Sequence, residues 1–407
     1  MEARLHPLLR HWRFLSVGFL LVAFSAVGQT FVLSLFGGEW RATFGLSHGG
    51  LGLAYSSATL LSALLLIAAG HLVDRLALPV MVAGVMLGAA LGSATLALSV
   101  GVPGLVLGFF LLRFFGQGLM THTAQTAVAR AFHQHRGKAV SLVAAGFPVS
   151  EAVVPILVVA VAAALGWRTT WWLIAGLLIL LAGLLLGLLG RHFPGRLSNE
   201  AAASDEPISW TRAQVLRDRR FYLVLPALMG APFIATAVFF HQVPLAASKG
   251  WSLAWLAASF PAFAAAHLLS LSFSGPLIDR FGARRLLPWH LTPLLLALLA
   301  LAFADGHWLA PLYLGLAGLG MGLANSLMGV IWVELYGSTH LGAIRSLAQS
   351  AMIFATAVAP VSVGLLLDEG WTMERVAALL AGLVVLVSLL AGWGLLKRNA
   401  QTRVKPT

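Results

Sequence analysis

Twelve apolar runs, each long enough to cross a membrane, follow one another through the 407 residues and leave little else to fold around. In the first half they lie near residues 14–36, 48–70, 79–100, 103–125, 139–165 and 169–190. In the second half they lie near 220–246, 252–274, 286–304, 308–334, 343–367 and 375–396. A helix needs about 20 mostly apolar residues to cross a bilayer. Soluble domains carry about a quarter charged residues, whereas this chain is 59% hydrophobic and 10% charged. The solvent for most of it is therefore lipid, and the runs are numbered below as spans one to twelve. The expected fold class is an all-α integral membrane protein with twelve transmembrane helices in two pseudo-symmetric six-helix bundles. Residues 1–190 form the first bundle and 220–407 the second. The polar stretch 191–219, with Pro194, Gly195, Ser198, Asn199, Asp205 and Glu206, reads as a cytoplasmic linker.

The net charge of +12 points to nucleic acid only until the positions of the charges are considered. With the N-terminus in the cytoplasm, all of the 26 Lys and Arg except Arg41, Arg113, Arg168, Lys249 and Arg375 fall on the cytoplasmic side. That is the positive-inside pattern. It places both termini in the cytoplasm and makes nucleic-acid binding unnecessary. There is no cysteine, which excludes disulfides, thiolate metal sites and cysteine nucleophiles. The basic start, Met1 to Arg13, leads into span one without a small-residue cleavage site, so that run is expected to be retained.

The halves repeat. Gly275-Pro276-Leu277-Ile278-Asp279-Arg280-Phe281-Gly282-Ala283-Arg284-Arg285 is echoed 205 residues earlier by Gly70-His71-Leu72-Val73-Asp74-Arg75. At the same offset Gly45-Leu46-Ser47 meets Gly250-Trp251-Ser252, His135-Arg136-Gly137 meets His340-Leu341-Gly342, and Pro155 meets Pro360. Gly166-Trp167 meets Gly370-Trp371 one residue short of it. Such repeats mark transporter architectures.

The pattern Gly275-x-x-x-Asp279-Arg280-x-Gly282-x-Arg284-Arg285 resembles the cytoplasmic loop signature of the major facilitator superfamily. Arg113 with Gly116, Gln117 and Gly118 resembles that family's span-four signature, loosely spaced. Lys249-Gly250-Trp251-Ser252, Gly166-Trp167-Arg168 and Glu334-Leu335-Tyr336-Gly337 resemble its bacterial monocarboxylate and oxalate/formate branch. The resemblance implies secondary active transport of a small organic solute, two bundles alternating access to a mid-membrane site, and a bacterial inner-membrane location. Carriers of that branch hold the substrate carboxylate with an arginine four residues before the loop glycine. Here that position is Leu271, with His267 one turn deeper.

Charge near the bilayer centre costs at least about 2.5–3.5 kcal/mol, so Arg113 in span four and Glu151 in span five are functional candidates. Either they form a structural salt bridge, or Arg113 anchors an anionic substrate and Glu151 takes the coupled proton when its partner is occupied. Gln117 and Thr121 follow Arg113 at steps of four, giving span four one polar face expected to line a cavity. Gln29, His241 and Gln242 in the corresponding spans one and seven, with His267 and Asn325, complete the expected substrate-binding set. His241 or His267 could also carry the proton. His122 and His290 are expected at the interface.

Trp167, Trp171, Trp172, Trp251 and Trp308 fall at predicted outer ends, as an aromatic belt would. The glycines of spans three, four and ten sit within apolar helix with no strand before them, which argues against a phosphate-binding loop. No metal-ligand cluster or hydrolytic triad stands out, so no cofactor and no enzymatic activity are expected. The expected partners are a small-molecule substrate, protons and the bilayer, around a monomer. Proton-driven efflux of hydrophobic or cationic compounds is the rival within transport, although Gly146-Phe147-Pro148-Val149-Ser150-Glu151 does not match the span-five signature of drug antiporters. A receptor or scaffold that has lost transport is the alternative of another class. The loops at Gly70, Asp74, Arg75 and at Gly275, Asp279, Arg280, Gly282, Arg284, Arg285 are expected to be tight turns that gate the cytoplasmic side. Asp279 would receive hydrogen bonds at a neighbouring helix N-terminus.

Overall fold

A computed structural model of the chain describes residues 11–70, 72–132, 136–190, 210–337 and 340–396. Most of the expected linker (191–209) and the side chain of Asp74 lie outside the described residues. Among the described residues the chain is helical without strands. Among these residues eleven helices are long and apolar enough to cross a membrane, and a bent pair, taken as one span, makes twelve. Span one is that pair, Trp12–Gly28 and Thr30–Phe44, bent by 48°. Spans two to six are His48–Ala69, Leu78–Leu98, Val102–Ala131, Gly137–Leu165 and Trp167–Leu189. Spans seven to twelve are Arg219–Phe240, Leu253–Phe281, Ala283–Phe303, Leu309–Tyr336, Leu341–Asp368 and Met373–Leu395.

Exposed Phe303 (79%), Leu180 (74%) and Ile67 (70%) lie in the apolar spans. So much outward apolar surface exceeds what a water-facing monomer shows and suits a hydrocarbon solvent.

The repeat read from the sequence is present in the backbone. Gly45 and Gly250 both take left-handed conformations, φ +64° and +67°, and so do Gly166 and Gly370 at +79° and +85°. Ser47 caps span two by accepting from the Gly50 amide, and Ser252 caps span eight by accepting from that of Trp255. Such caps satisfy amides that have no partner within the helix. Pro155 and Pro360 both lie inside their helices.

Two compact units result. The first is Met1–Glu200 with Phe239–Val243 and Pro360–Leu365; the second is Ala201–Val238, Pro244–Ala359 and Leu366–Thr407. In the first unit, span three packs along span six, and span two along span four. One wall of its core is aromatic: the Trp40 ring lies 6.2 Å from that of Trp171 and 4.9 Å from that of Phe109, with Phe36 5.0 Å from Trp171. In the second unit, span ten packs along span eight and span nine along both ten and twelve.

Three expectations are corrected here. Trp171 and Trp251 are buried, because Phe36 and Trp40 enclose the first and Tyr313 stacks on the second at 5.9 Å; Trp172 and Trp308 remain exposed as a belt requires. His290 is fully buried, its Nδ1 against the Leu287 carbonyl, while His122 is exposed. The presumed tight turns are mostly helix. Span eight continues through Gly275, Asp279 and Arg280 to Phe281, and the reversal is confined to Gly282 at φ +80°. Gly70 is right-handed helical, and a short helix Leu72–Arg75 follows. Charged side chains reach water from a helix end without unwinding it, so the backbone keeps its hydrogen bonds.

Candidate functional site

The polar centre of the first unit grows from a break in span one. Ser25–Gly28 tightens into a 3₁₀ turn, and Gln29 is extended at φ −82°, ψ 150° before the helix resumes at Thr30. A break leaves backbone carbonyls without a helical partner. One of them, Gly28 O, accepts a 3.2 Å hydrogen bond from Arg113 Nη1. Span four answers the break with its own irregularity. Leu112–Met120 is π-helical, a geometry common at functional sites. A Cβ added to Gly28 would lie 2.2 Å from the Leu112 carbonyl oxygen and 2.6 Å from the Gln117 amide nitrogen. Only glycine allows the two distorted segments to approach this closely.

Arg113 is buried at 5% exposure. Besides Gly28 it faces Tyr55 of span two, whose ring centre is 5.3 Å from the guanidinium carbon, within cation–π range. Among the described residues its Nε has no hydrogen-bond partner. The Tyr55 hydroxyl lies 2.8 Å from Thr30 Oγ1, so both sides of the break are tied to the residues around Arg113. Ser34 Oγ donates to the Thr30 carbonyl at 2.7 Å. Gln242, in the Phe239–Val243 segment of the same unit, donates through Nε2 to Ser34 Oγ at 2.8 Å and to the Phe31 carbonyl at 2.9 Å. Its Oε1 is buried without a partner among the described residues, and so are the hydroxyls of Ser56, Thr59 and Thr121.

The expected residues are therefore brought together only in part. Arg113, Gln117 and Gln29 meet at the break, with Gln242 two hydrogen bonds beyond it. His241 is buried between rings, 6.4 Å from His48 and 5.1 Å from Phe240. Glu151 is buried in span five, whose helix packs against both pieces of span one. The partners of Arg113 are Gly28 and Tyr55, and Glu151 is not among them. The two charges flank the break from different spans.

In the second unit, Asn325 Nδ2 lies 3.3 Å from His267 Nε2. A glycine seam holds these helices together: a Cβ on Gly318 would sit 2.3 Å from the Phe263 carbonyl oxygen. Along the same seam Ser270 Oγ donates to the Leu319 carbonyl at 2.7 Å. Leu271 is half-buried.

At the loop, the contact expected of Asp279 is made by Glu334. Its carboxylate accepts from the amides of Ala283 (2.8 Å) and Arg284 (3.2 Å), and the Arg284 guanidinium donates to its backbone carbonyl. Asp279, Arg280 and Arg285 are exposed. A carboxylate at a helix start meets both free amides and the positive end of the dipole. Glu334 supplies it from span ten because that helix ends beside the start of span nine.

Sequence reasoning missed Tyr55, Thr30 and Ser34. Tyr55 is the only tyrosine of the first half, and a lone phenol in an apolar helix is a usable signal, since a buried Tyr hydroxyl normally finds a partner. Among the described residues no group of three or more His, Asp or Glu could hold a metal ion.

The fold is shared with solved transporters. A bacterial homolog to the human lysosomal transporter Spinster, inward-facing and unoccupied, matches at TM-score 0.67 with 14% identity over 95% of this chain and 94% of that one. The nucleoside transporter NupG matches at TM-score 0.72 and 14% identity over 95% and 98%. No curated protein sequence matches. The profile described as Major Facilitator Superfamily matches residues 18–271 and 254–407, and with both halves of the sequence covered, this chain belongs to the Major Facilitator Superfamily.

Proposed function

We propose that the protein is a secondary active transporter whose substrate is a small organic anion, moved by alternating access with coupled protons. The observation that carries the reading is Arg113: a buried guanidinium with an unpartnered Nε, fixed by a carbonyl at a helix break. Discontinuous helices near the bilayer midplane are where transporters of many folds place their sites. An arginine is suited to a carboxylate because its planar donors match two oxygens. Tyr55 below it and the hydroxyls of spans one and two offer the neutral remainder of the site. Gln29, Gln117 and Gln242 belong to the same polar group, and His267 with Asn325 forms the polar group of the second unit.

The proton is assigned to Glu151, with His241 as the second candidate. Since Arg113 holds the Gly28 carbonyl rather than Glu151, coupling runs through span one. An anion that draws Arg113 away from Gly28 changes the break, and the helix bearing Glu151 packs on both sides of that break. The resemblance to monocarboxylate and oxalate/formate carriers supports small carboxylates as the first substrates to try, with His267 near the place where that branch has its arginine. The inner membrane and cytoplasmic termini belong to this reading. Structural likeness at 14% identity carries the fold and not the nucleoside or other cargo of the matched proteins.

The test is flux into liposomes. Small radiolabelled carboxylates should enter down an imposed proton gradient, and Arg113→Ala should sharply reduce entry at low substrate concentration while the purified protein stays folded. Entry that is unchanged in Arg113→Ala would overturn the anion reading. Glu151→Gln should retain exchange of substrate but lose acceleration by the gradient.

A further inference from the structure

At one end of the second unit, the start of span seven, the start of span nine and the end of span twelve converge. The Arg219 guanidinium lies 5.0 Å over the Trp393 ring. A Cβ on Gly394 would be 2.8 Å from that of Leu223, and one on Gly392 would be 3.7 Å from that of Pro288. Next to Pro288, Trp289 is 72% exposed, and Arg285 lies one helical turn before it and is also exposed. Trp393 is 41% exposed.

Two carboxylates of these helix ends are already engaged, whereas Asp279 is exposed. Asp218 pairs with Arg220 at 3.0 Å and accepts from the Tyr336 hydroxyl at 3.1 Å, and Glu334 caps span nine. Among the described residues, neither Arg219 nor Arg285 has a carboxylate within ion-pair distance. Below the two arginines the outward faces are apolar. Leu386 (54%), Leu389 (66%) and Trp393 follow one another on one face of span twelve, and Leu296 and Phe303 are exposed on span nine.

From this arrangement we propose that Arg219, Arg285, Trp289 and Trp393 form a binding site for an anionic phospholipid. The two guanidiniums take the phosphate, the two indoles sit at head-group level, and the acyl chains follow the exposed leucines. Guanidinium and phosphate match in geometry as well as charge, basic pockets between helix ends bind acidic lipid head groups, and tryptophan prefers the membrane–water interface. A nucleic acid or acidic protein would satisfy the arginines and leave the exposed apolar side chains of spans nine and twelve unmatched; a lipid satisfies both.

The experiment is lipid retention by the full chain, purified in mild detergent with phosphatidylglycerol and phosphatidylcholine in equal amounts and analysed by native mass spectrometry. Wild type should retain phosphatidylglycerol preferentially. Arg219→Gln with Arg285→Gln should lower that preference at least about tenfold, the loss expected when an interaction of about 1.4 kcal/mol is removed. Arg212→Gln with Arg217→Gln removes the same charge from exposed positions on the neighbouring short helix and should leave the preference unchanged. Equal loss in both double variants means unspecific attraction and overturns the site, and so does equal retention in both. Competition by free glycerol phosphate at the lipid's own concentration also overturns it, because the apolar half would then contribute nothing. If the Gln pair fails to fold, Trp289→Ala with Arg219→Lys carries the test. Retention of phosphatidylglycerol at the wild-type level in that variant overturns the proposal, and a severalfold loss supports it.

Discussion

Span four and span ten occupy equivalent places in the repeat, yet they solve opposite problems. The offset of 205 residues sets Arg113 against Gly318. In the first unit the position carries a buried charge, and the helix around it is π-type and braced by a broken neighbour. In the second unit the same position is a glycine that lets a regular helix lie against the backbone of span eight. A twofold scaffold thus carries a charge at this position in one half and none in the other. If the substrate is an anion as proposed, the comparison assigns its binding to the first unit, while the second unit has a neutral glycine and close packing at the equivalent position.

Arg113→Ala breaks the asymmetry outright. Hydrogen bonds to charged groups are worth about 1.5–3 kcal/mol, so apparent affinity for a transported carboxylate should fall about 10- to 100-fold. Binding measured by calorimetry or by saturation of flux checks this. Next come the two glycines. Gly28→Ala and Gly318→Ala each push a methyl group into a carbonyl oxygen, and overpacking of this kind costs about 1–3 kcal/mol. Both should lower the melting temperature, but only Gly28→Ala should also weaken substrate binding, since it alone displaces the carbonyl that holds Arg113. If both weaken binding equally, the units are less distinct than their structures suggest.

Smaller effects sharpen the comparison. Glu334→Gln removes a charged cap worth about 1 kcal/mol and should slow turnover and lower the melting temperature by a few degrees. Asp279→Asn should do less, because Asp279 is exposed. Among the described residues the start of span three has no such side-chain cap: the residue equivalent to Glu334 is Ala129, and span three instead has Pro79 in its first turn, where a missing amide costs nothing. Tyr55→Phe, which removes only the hydroxyl bonded to Thr30, should reduce affinity about two- to tenfold by the usual worth of one buried hydrogen bond, about 0.5–1.5 kcal/mol. Asn325→Ala should change affinity least.

Much of the fold was legible in the sequence because hydrophobic length dictates where a chain can cross lipid. The expected spans match the observed ones to within a few residues at most ends, and the glycines and serines at the repeat offset mark real turns and caps. What was not legible depends on contacts between distant residues. The break at Gln29 and the π-helical stretch near Arg113 exist because Gly28 and Leu112 meet, and no local pattern in either segment announces that. The cap by Glu334 joins positions 50 and 51 residues apart. Arg113 could be picked out by its cost in lipid, whereas its partners Gly28 and Tyr55 are ordinary residues made important by where Arg113 points.

The π-helical stretch has one more consequence. Each of its turns holds an extra residue relative to an α-helix, so the angular phase of span four slips as the chain passes from Leu112 to Met120. Positions before and after it that a single helical wheel assigns to one face do not in fact share one. Because the chain has no native cysteine, single cysteines can be introduced along Val102–Ala131 and tested for reaction with a water-soluble thiol reagent. The reactive positions should follow one periodicity up to Leu111, lose register across the next two turns, and resume the same period from Thr121 with a displaced origin, like two lengths of screw thread joined out of step.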